Sequence, residues 1–188
     1  MRHVVLVGLM GSGKTTVGRR LAKRLDRGFV DADDALEEIA DRTIAEIFAA
    51  DGERGFRAIE ADVLEELLEH HEATVIASGG GVVLSGENRR RLAQPNVTVV
   101  WLDGSPAFLA SRVEAKAHRP LLVGAESHRD VLARLHAERE ALYREVADIR
   151  VDVEPFHHSE EKPKRALAEQ IADLVRAHEA GSAAEVPS

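Results

Sequence analysis

The sequence predicts an α/β fold in which a parallel sheet is covered by helices on both faces. Short runs rich in valine, isoleucine and leucine alternate along the 188 residues with longer segments in which apolar residues recur every third or fourth position. The first pattern is typical of buried strands and the second of amphipathic helices, and their alternation indicates a parallel sheet with helical crossovers. The side chains that could carry chemistry follow the strands, at the edge where open α/β sheets bind ligands.

The predicted elements follow one another in a regular order. Strands are predicted at residues 4–7, 28–30, 74–77, 97–102 and 150–153, the fourth being the strongest. Helices are predicted at residues 16–25, 44–50, 56–68, 88–92, 106–112, 128–142 and 166–175. The second of these helices opens with the capping box Thr43-Ile44-Ala45-Glu46 and stops at Asp51-Gly52-Glu53. We therefore expect one domain over residues 1–176 and a disordered C-terminal tail over residues 177–188.

The segment between the first strand and the first helix has the spacing of a phosphate-binding loop. It reads Gly8-Leu9-Met10-Gly11-Ser12-Gly13-Lys14-Thr15, which fits the pattern G-x-x-x-x-G-K-[ST]. Glycines allow successive backbone N–H groups to turn toward phosphate oxygens, and the helix that follows directs its positive dipole end at them. Lys14 is expected to reach the β- and γ-phosphates, and the Thr15 hydroxyl to bind the accompanying Mg²⁺. Residues 8–15 are called the phosphate loop below.

Aspartates follow two of the predicted strands. Asp31 and Asp33 come after the second strand, and we expect both to lie on the same side of the chain at its carboxyl end. An alternative for one of them is a helix N-cap, a position that Asp favours. Asp103 ends the fourth strand and competes with Asp31 as the magnesium-side carboxylate. Asp31 is preferred because Gly104-Ser105-Pro106 predicts a turn and a helix start immediately after Asp103.

Three further features point to a bound ligand beside the phosphate loop. Gly79-Gly80-Gly81 follows the third strand, and because consecutive glycines are costly to order, close approach of the backbone to a ligand explains them better than a turn. Arg57 lies near the start of a helix, where the dipole disfavours a cation, so either a ligand requires it or it is a solvated charge. Residues 114–126 lose apolar periodicity, which predicts a mobile lid.

Composition and charge argue against several classes of protein. The formal net charge is -8 and aromatic residues make up 4%, so a basic, ring-bearing surface for nucleic acid is not expected. No apolar run approaches the roughly 20 residues of a membrane span. The chain has no cysteine, and its scattered histidines are interpreted as solvated surface groups rather than metal ligands. We expect a cytoplasmic protein, since no charged-then-apolar leader precedes the first strand.

Taken together, these motifs resemble those of the shikimate kinase family. The resemblance covers roughly residues 1–174 and includes the phosphate loop with Thr16-Val17-Gly18, Asp31-Ala32-Asp33, residues 44–48, Gly52-Glu53, Phe56-Arg57, Glu60, Gly79-Gly80-Gly81, Arg119-Pro120-Leu121-Leu122, Arg139 and Leu142-Tyr143. Many kinases share the phosphate loop, whereas the combination with Asp-x-Asp, Phe-Arg, the triple glycine and Arg-Pro-Leu-Leu is far more specific. The resemblance implies a P-loop three-layer sandwich with a central, mostly five-stranded parallel sheet and a mobile lid.

The same resemblance implies ATP-dependent phosphorylation of the 3-hydroxyl of shikimate, on the route to chorismate and the aromatic amino acids. We expect the protein to be a monomer. The resemblance assigns ATP binding to Gly11, Ser12, Gly13, Lys14, Thr15, Thr16 and Arg119. Separately, we expect Arg112 to lie against the adenine. The resemblance assigns Mg²⁺ to Thr15 and, through the water shell of the metal, to Asp31. The implied substrate contacts are Asp33, Phe48, Phe56, Arg57, Gly79, Gly80, Gly81 and Arg139. Asp33 would orient the nucleophile or take its proton, and Lys14 and Arg119 would complete the catalytic set.

The chain departs from the family pattern in two places, and two rival functions share part of the evidence. The family usually has a glycine near Asp41-Arg42, and residues 156–162 lack an obvious counterpart of the family's adenine-contacting arginine. A kinase for another small polyol acid such as gluconate would share the phosphate loop but leaves Arg57 and Arg139 unexplained. A non-catalytic nucleotide-dependent switch predicts an Asn-Lys-x-Asp motif after a strand, and the sequence contains none.

Overall fold

The computed structural model describes residues 2–114, 127–157 and 163–184. Its centre is a parallel sheet of five strands in the order β2-β3-β1-β4-β5. The strands are β1 (His3–Val7), β2 (Gly28–Asp31), β3 (Thr74–Ala77), β4 (Val97–Asp103) and β5 (Ile149–Asp152). The predicted fold class and the predicted strands are confirmed, with bounds that differ by a residue or two at several ends.

Helices connect the strands and cover both faces of the sheet. They are α1 (Lys14–Leu25), α2 (Ala32–Ala40), α3 (Ile44–Glu69), α4 (Gly86–Leu92), α5 (Pro106–Glu114), α6 (His128–Val146), α7 (Glu154–His157) and α8 (Pro163–Ala184), with a 3₁₀ turn at Val82–Leu84. Alternate residues of β1 point to opposite faces: Val5 and Val7 pack with α3 to α6, whereas Val4 and Leu6 pack with α1 and α8. This arrangement gives three layers.

Strand order brings the functional segments together. β1 pairs with β3 on one side and with β4 on the other, and β2 pairs with the far side of β3. Because all strands are parallel, the segments that leave β1, β2 and β3 emerge at the same edge of the sheet. The phosphate loop follows β1, Asp31 ends β2, and Gly79-Gly80-Gly81 follows β3.

Several local expectations require correction or refinement. The first turn of α2 contains Asp33, so Asp31 and Asp33 are not two positions of one extended segment; Asp31 is the N-cap, as the alternative for one aspartate stated. The predicted stop at Gly52 is a local break with φ 68 inside α3, after which the helix resumes. No helix was predicted within residues 31–43, although α2 occupies residues 32–40. The helix that was expected to end near residue 175 continues as α8 to Ala184.

The contacts of α8 explain why part of the expected tail is ordered. Glu179 pairs with Arg27, with 2.7 Å between Oε2 and Nη2, and the Arg27 side chain is only 5% exposed. Burying that guanidinium requires a partner, and the last turns of α8 supply it. The predicted lid over 114–126 falls, apart from the last residue of α5, outside the described residues. Among the residues that are described, no helix has both the length and the apolar character needed to cross a bilayer.

Candidate active site

The phosphate loop has the backbone conformation that its glycines allow. Gly8, Gly11 and Gly13 have φ values of 137°, 86° and 96°, a region that residues with a Cβ atom rarely adopt. Space is also limited at Gly11, where a Cβ atom would lie 2.6 Å from the Leu109 carbonyl oxygen. The loop therefore wraps tightly between β1 and α1, and substitution at these glycines would force it open.

The start of α1 is suited to bind an anion. Gly13 occupies the N-cap and offers no side chain to accept from the first N–H groups, and the first turn of α1 contains no acidic residue. Free N–H groups at a helix start and the positive end of its dipole both favour phosphate. Thr15 and Thr16 lie in this first turn and are partly exposed, so their hydroxyls are accessible from the same side.

The Lys14 side chain folds back over the phosphate loop. Its Nζ donates to the carbonyl oxygens of Gly8 and Leu9 at 2.7 and 3.2 Å. Ser12, by contrast, is buried, and among the described residues its Oγ has no hydrogen-bond partner. The Lys14 ammonium group therefore lies against the backbone of the phosphate loop.

Arg112 approaches the phosphate loop from α5. Its Nε donates to the Gly11 carbonyl oxygen at 2.7 Å, and its Cζ lies 5.4 Å from the centre of the Phe108 ring. Nη1 also contacts the ring of His157, 2.8 Å from Nδ1. Burial lowers the pKa of the Arg112 guanidinium from its ordinary value. Arg112 therefore lies beside the phosphate loop.

The two candidate acids on β2 and α2 have different surroundings. Asp31 accepts a hydrogen bond from the Asp33 backbone N–H through Oδ1 at 3.2 Å, which makes it the N-cap of α2. Asp33 is exposed, and its Oδ1 lies 3.1 Å from the position that a Cβ atom on Gly79 would occupy. Asp33 thus faces the loop after β3.

Asp103, the rival magnesium-side carboxylate, is committed to other groups. Its Oδ2 accepts from Nη2 and Nε of Arg150 at 2.6 and 3.0 Å, and its Oδ1 accepts from the Gly104 N–H at 2.9 Å. The residue is only 8% exposed. These contacts favour Asp31 over Asp103 as the magnesium-side carboxylate, because Asp31 is the more exposed of the two.

Gly79-Gly80-Gly81, called the triple-glycine loop below, is where charged side chains from several helices meet. A Cβ atom on Gly79 would lie 2.6 Å from Glu60 Oε1, and one on Gly81 would lie 2.5 Å from Arg57 Cζ. One on Gly80 would lie 3.5 Å from the Gly8 carbonyl oxygen of the phosphate loop. At Gly79 and Gly81 a Cβ atom would displace a charged side chain, so glycine is favoured at these two positions. From the sequence, we expected the three glycines to allow close approach of a ligand; the structure shows that protein side chains also approach them.

Arg57 is oriented by an acidic neighbour on α3. Nη1 donates to Glu60 Oε2 at 2.7 Å, and the guanidinium lies 5.1 Å from the centre of the Phe56 ring. The Glu60 side chain is 7% exposed, and burial raises its pKa above 4.5, against the opposing effect of Arg57. The resemblance includes Glu60 but implies no site role for it. The i,i+3 spacing from Arg57 was the signal that could have identified it.

Arg139 and Tyr143 reach the triple-glycine loop from α6. Arg139 Nη1 donates to the Gly80 carbonyl oxygen at 3.0 Å, and the Tyr143 hydroxyl donates to the same oxygen at 2.5 Å. Tyr143 is 1% exposed, and burial raises its pKa to about 12. Its sequence signal was the spacing of one helical turn from Arg139.

Two rings form an apolar wall on the α3 side. Phe48 and Phe56 stack with their centroids 4.6 Å apart and an angle of 26° between their planes. Phe56 is buried and Phe48 only partly so. The wall therefore lies next to Arg57, which combines an apolar surface with a cation.

The predicted site residues thus form two adjoining groups. The first group lies at the phosphate loop and consists of Gly11, Ser12, Gly13, Lys14, Thr15, Thr16 and Arg112. The second group lies around the triple-glycine loop and consists of Asp33, Arg57 and Arg139, with the Phe48 and Phe56 rings beside Arg57. Gly80 and Gly8 join the two groups. Arg119 lies outside the described residues. This cleft could hold a polyphosphate beside a small hydroxylated acid and favour transfer between them by positioning and charge neutralisation.

Comparison with known proteins gives consistent results. The family model for shikimate kinase matches residues 10–176. The shikimate kinase of Dechloromonas aromatica is 48% identical over 151 residues, covering 80% of this chain and 81% of that protein. That of Symbiobacterium thermophilum is 43% identical over 175 residues, covering 92% of this chain and 94% of that protein.

Solved structures agree at the level of the backbone. Shikimate kinase from Acinetobacter baumannii, in complex with shikimate, superposes with a TM-score of 0.83 at 38% identity, covering 94% of each chain. A gluconokinase from Sinorhizobium meliloti superposes with a TM-score of 0.56 at 22% identity, covering 93% of this chain and 95% of that one. The second similarity shows a shared fold.

Proposed function

The chain belongs to the shikimate kinase family, and we propose that the cleft between the phosphate loop and the triple-glycine loop is its active site. The enzyme transfers the γ-phosphoryl group of ATP to the 3-hydroxyl of shikimate, giving shikimate 3-phosphate and ADP. The observation that carries the assignment of the site is the arrangement of Asp33, Arg57 and Arg139 around one glycine loop beside the phosphate loop. These groups complement a hydroxylated ring with a carboxylate.

The phosphate loop holds the ATP phosphates in this proposal. Backbone N–H groups of residues 11–16 and the dipole of α1 bind the phosphate oxygens, and Lys14 leaves the carbonyl oxygens of Gly8 and Leu9 to bind the β- and γ-phosphates. Contacts of the Lys14 ammonium group with phosphate oxygens are charge-assisted and therefore stronger than hydrogen bonds to neutral carbonyl oxygens. Arg112 binds against the adenine while its Nε remains on the loop.

The substrate carboxylate binds between Arg57 and Arg139. Both guanidinium groups face the triple-glycine loop, and each has an Nε that is buried with no hydrogen-bond partner among the described residues. A buried unpaired donor is costly, and a carboxylate that enters the cleft is an acceptor suited to it. Phe48 and Phe56 contact the ring, and Gly80 donates its backbone N–H.

Asp33 acts on the hydroxyl that is phosphorylated. It is exposed toward the cleft beside Gly79, where a carboxylate can accept a hydrogen bond from a ring hydroxyl. It orients that oxygen toward the γ-phosphorus and takes its proton as the P–O bond forms. Arg119 completes the catalytic set and, with the proposed lid, excludes water that would otherwise hydrolyse ATP.

Mg²⁺ fits the donors available at the phosphate side. Thr15 offers a hydroxyl in the first turn of α1, and Asp31 offers carboxylate surface at the end of β2. The described residues contain no group of three or more His, Cys, Asp or Glu side chains able to hold a metal by themselves. This matches an ion bound mainly by phosphate oxygens and water, since Mg²⁺ prefers oxygen ligands and few protein groups. When bound, Mg²⁺ neutralises charge on the phosphates.

The proposal also covers the compartment, the oligomeric state and the ligands of the enzyme. We expect a cytoplasmic monomer whose ligands are ATP and shikimate, without nucleic-acid or membrane partners. The net charge of -8 disfavours polyanions, so the local cations of the cleft must bind the anionic ligands.

A coupled ATP-consumption assay tests the proposed function. Shikimate, gluconate and a nucleoside monophosphate are supplied in parallel at equal concentration, with ATP and Mg²⁺. Shikimate should support turnover at least about 100-fold faster than either alternative, because only shikimate matches the two arginines, Asp33 and the apolar wall. Faster turnover with gluconate, or ATP consumption that is independent of all three, would contradict the proposal.

A further inference from the structure

The Gly80 carbonyl oxygen accepts two hydrogen bonds from consecutive turns of α6. Arg139 Nη1 lies at 3.0 Å and the Tyr143 hydroxyl at 2.5 Å. A carbonyl oxygen has two lone pairs, so these donors use its full capacity. Both donors come from residues four apart, which lie one above the other on the same face of a helix.

The two donors do not have equivalent tasks. Arg139 is proposed to bind the substrate carboxylate, so its guanidinium must serve both the ligand and the Gly80 carbonyl oxygen. Tyr143 is 1% exposed and lies behind the loop, where its ring stacks on Trp101 with the centroids 5.7 Å apart. Because the Tyr143 ring is buried and stacked in this way, its hydroxyl stays at the Gly80 carbonyl oxygen when shikimate binds.

The orientation of the Gly80 carbonyl matters for the whole triple-glycine loop. Peptide groups are planar, so fixing this carbonyl also fixes the direction of the Gly81 N–H. The preceding peptide is held by a hydrogen bond from the Val82 N–H to the Gly79 carbonyl oxygen at 3.3 Å. Glycine residues rotate more freely than others, and without these contacts the loop would lose its shape. The Arg57 guanidinium lies close to Gly81, so the position of Gly81 also affects Arg57.

We propose that Tyr143 is a positioning residue for shikimate: its hydroxyl holds the Gly80 carbonyl oxygen while Arg139 binds the substrate carboxylate. The inference rests on the proposed function and adds a residue to the same site. Burial raises the pKa of Tyr143 to about 12, so the hydroxyl stays protonated and remains a donor throughout the neutral range. Tyr143 acts on the substrate through the backbone of the loop, not by direct contact.

The test is Tyr143→Phe, which removes one oxygen and retains the ring that stacks on Trp101. Shikimate binding is measured by calorimetry without ATP, and steady-state kinetics give KM for shikimate and for ATP. We expect the Kd and KM for shikimate to rise about 10-fold, because the loop loses its fixed donor. The KM for ATP should stay within about twofold, since the phosphate loop keeps all its own contacts.

The matched control is Thr98→Val, which removes a buried hydroxyl that has no hydrogen-bond partner among the described residues. Thr98 lies on β4 and is 0% exposed. Thr98→Val should leave both KM values and the shikimate Kd unchanged. Thermal unfolding of both variants shows whether a change in binding reflects loss of stability.

The outcomes separate this inference from the proposed function. An unchanged shikimate Kd in Tyr143→Phe, or an equal rise in KM for shikimate and ATP together with a lower Tm, would overturn the positioning role. A wild-type enzyme that shows no shikimate-dependent turnover would overturn the proposed function and this inference with it.

Discussion

Arg57 and Glu60 form an ion pair across one turn of α3, with 2.7 Å between Nη1 and Oε2, and both side chains contact the triple-glycine loop. The Glu60 carboxylate is nearly buried, and its second oxygen, Oε1, has no hydrogen-bond partner in the described part of the chain. The pair holds Arg57 at the substrate site but requires a carboxylate to be desolvated. Burying an ion in this way opposes folding unless its partners compensate.

This cost predicts a pH dependence of stability. Burial raises the pKa of Glu60 above 4.5 in the folded protein, so the folded state binds a proton more tightly than the unfolded state. The contribution of Glu60 to the free energy of unfolding should fall as pH rises from about 4.5 through the raised pKa, and then level off. Urea unfolding of wild type and Glu60→Gln across this range isolates the effect. A difference between the two proteins that grows in favour of wild type as pH rises would contradict it.

Gly81→Ala should weaken shikimate binding selectively. A Cβ atom at this position would lie 2.5 Å from Arg57 Cζ and would displace the guanidinium. Loss of one charge-assisted contact predicts a rise in shikimate Kd of about 10- to 150-fold. Gly86→Ala is the matched control, because the nearest atom to its Cβ would be Arg89 Nη2 at 3.7 Å. Calorimetric titration with shikimate and separately with ATP checks the prediction, which fails if ATP binding weakens as much as shikimate binding.

Asp33→Asn should reduce kcat while preserving ATP binding. An amide keeps the size of the side chain but cannot take the proton of the attacking hydroxyl, so kcat should fall at least about 100-fold. The exposed neighbour Asp34, also in the first turn of α2, provides the control variant Asp34→Asn. Coupled kinetics at saturating ATP measure both. Equal kcat values for the two variants would rule out the proposed role of Asp33.

Asp41→Gly should stabilise the protein. Asp41 ends α2 with φ 49 and ψ 34, a left-handed conformation that is unfavourable for a residue with a Cβ atom. This is the position near which the family pattern has glycine, so the departure is a local substitution and the turn itself is formed. Glycine should raise the free energy of unfolding by about 0.5–1 kcal/mol.

The comparison for Asp41→Gly is Glu38→Gly inside the same helix. Glycine in a helix interior should lower the free energy of unfolding by about 1 kcal/mol. Chemical denaturation of both variants gives the two values. If both substitutions destabilise, relief of left-handed strain at Asp41 is not the dominant effect.

The accuracy of the sequence-based expectations varied with the range of the interactions involved. The capping box at Thr43 was predicted from four neighbouring residues, and both of its hydrogen bonds are present. The helix α2 was not predicted, although its N-cap was among the alternatives, because three acidic residues near its start obscured the apolar pattern. The helix α8 continues to Ala184, into the predicted tail, and Glu179 in this extension pairs with Arg27, which is distant in sequence and is not visible to a local pattern.

Local sequence determined the strands, most helices and the phosphate loop, because hydrophobic period and glycine spacing act over a few residues. Tertiary structure decided which charges meet. Asp33, Arg57 and Arg139 belong to α2, α3 and α6, and they surround one loop because β3 lies between β2 and β1 in a parallel sheet. It also decided the partners of these charges, Glu60 for Arg57 and the Gly80 carbonyl oxygen for Arg139 and Tyr143. Contacts of this kind require an assembled core, since desolvation and close approach exist only after packing.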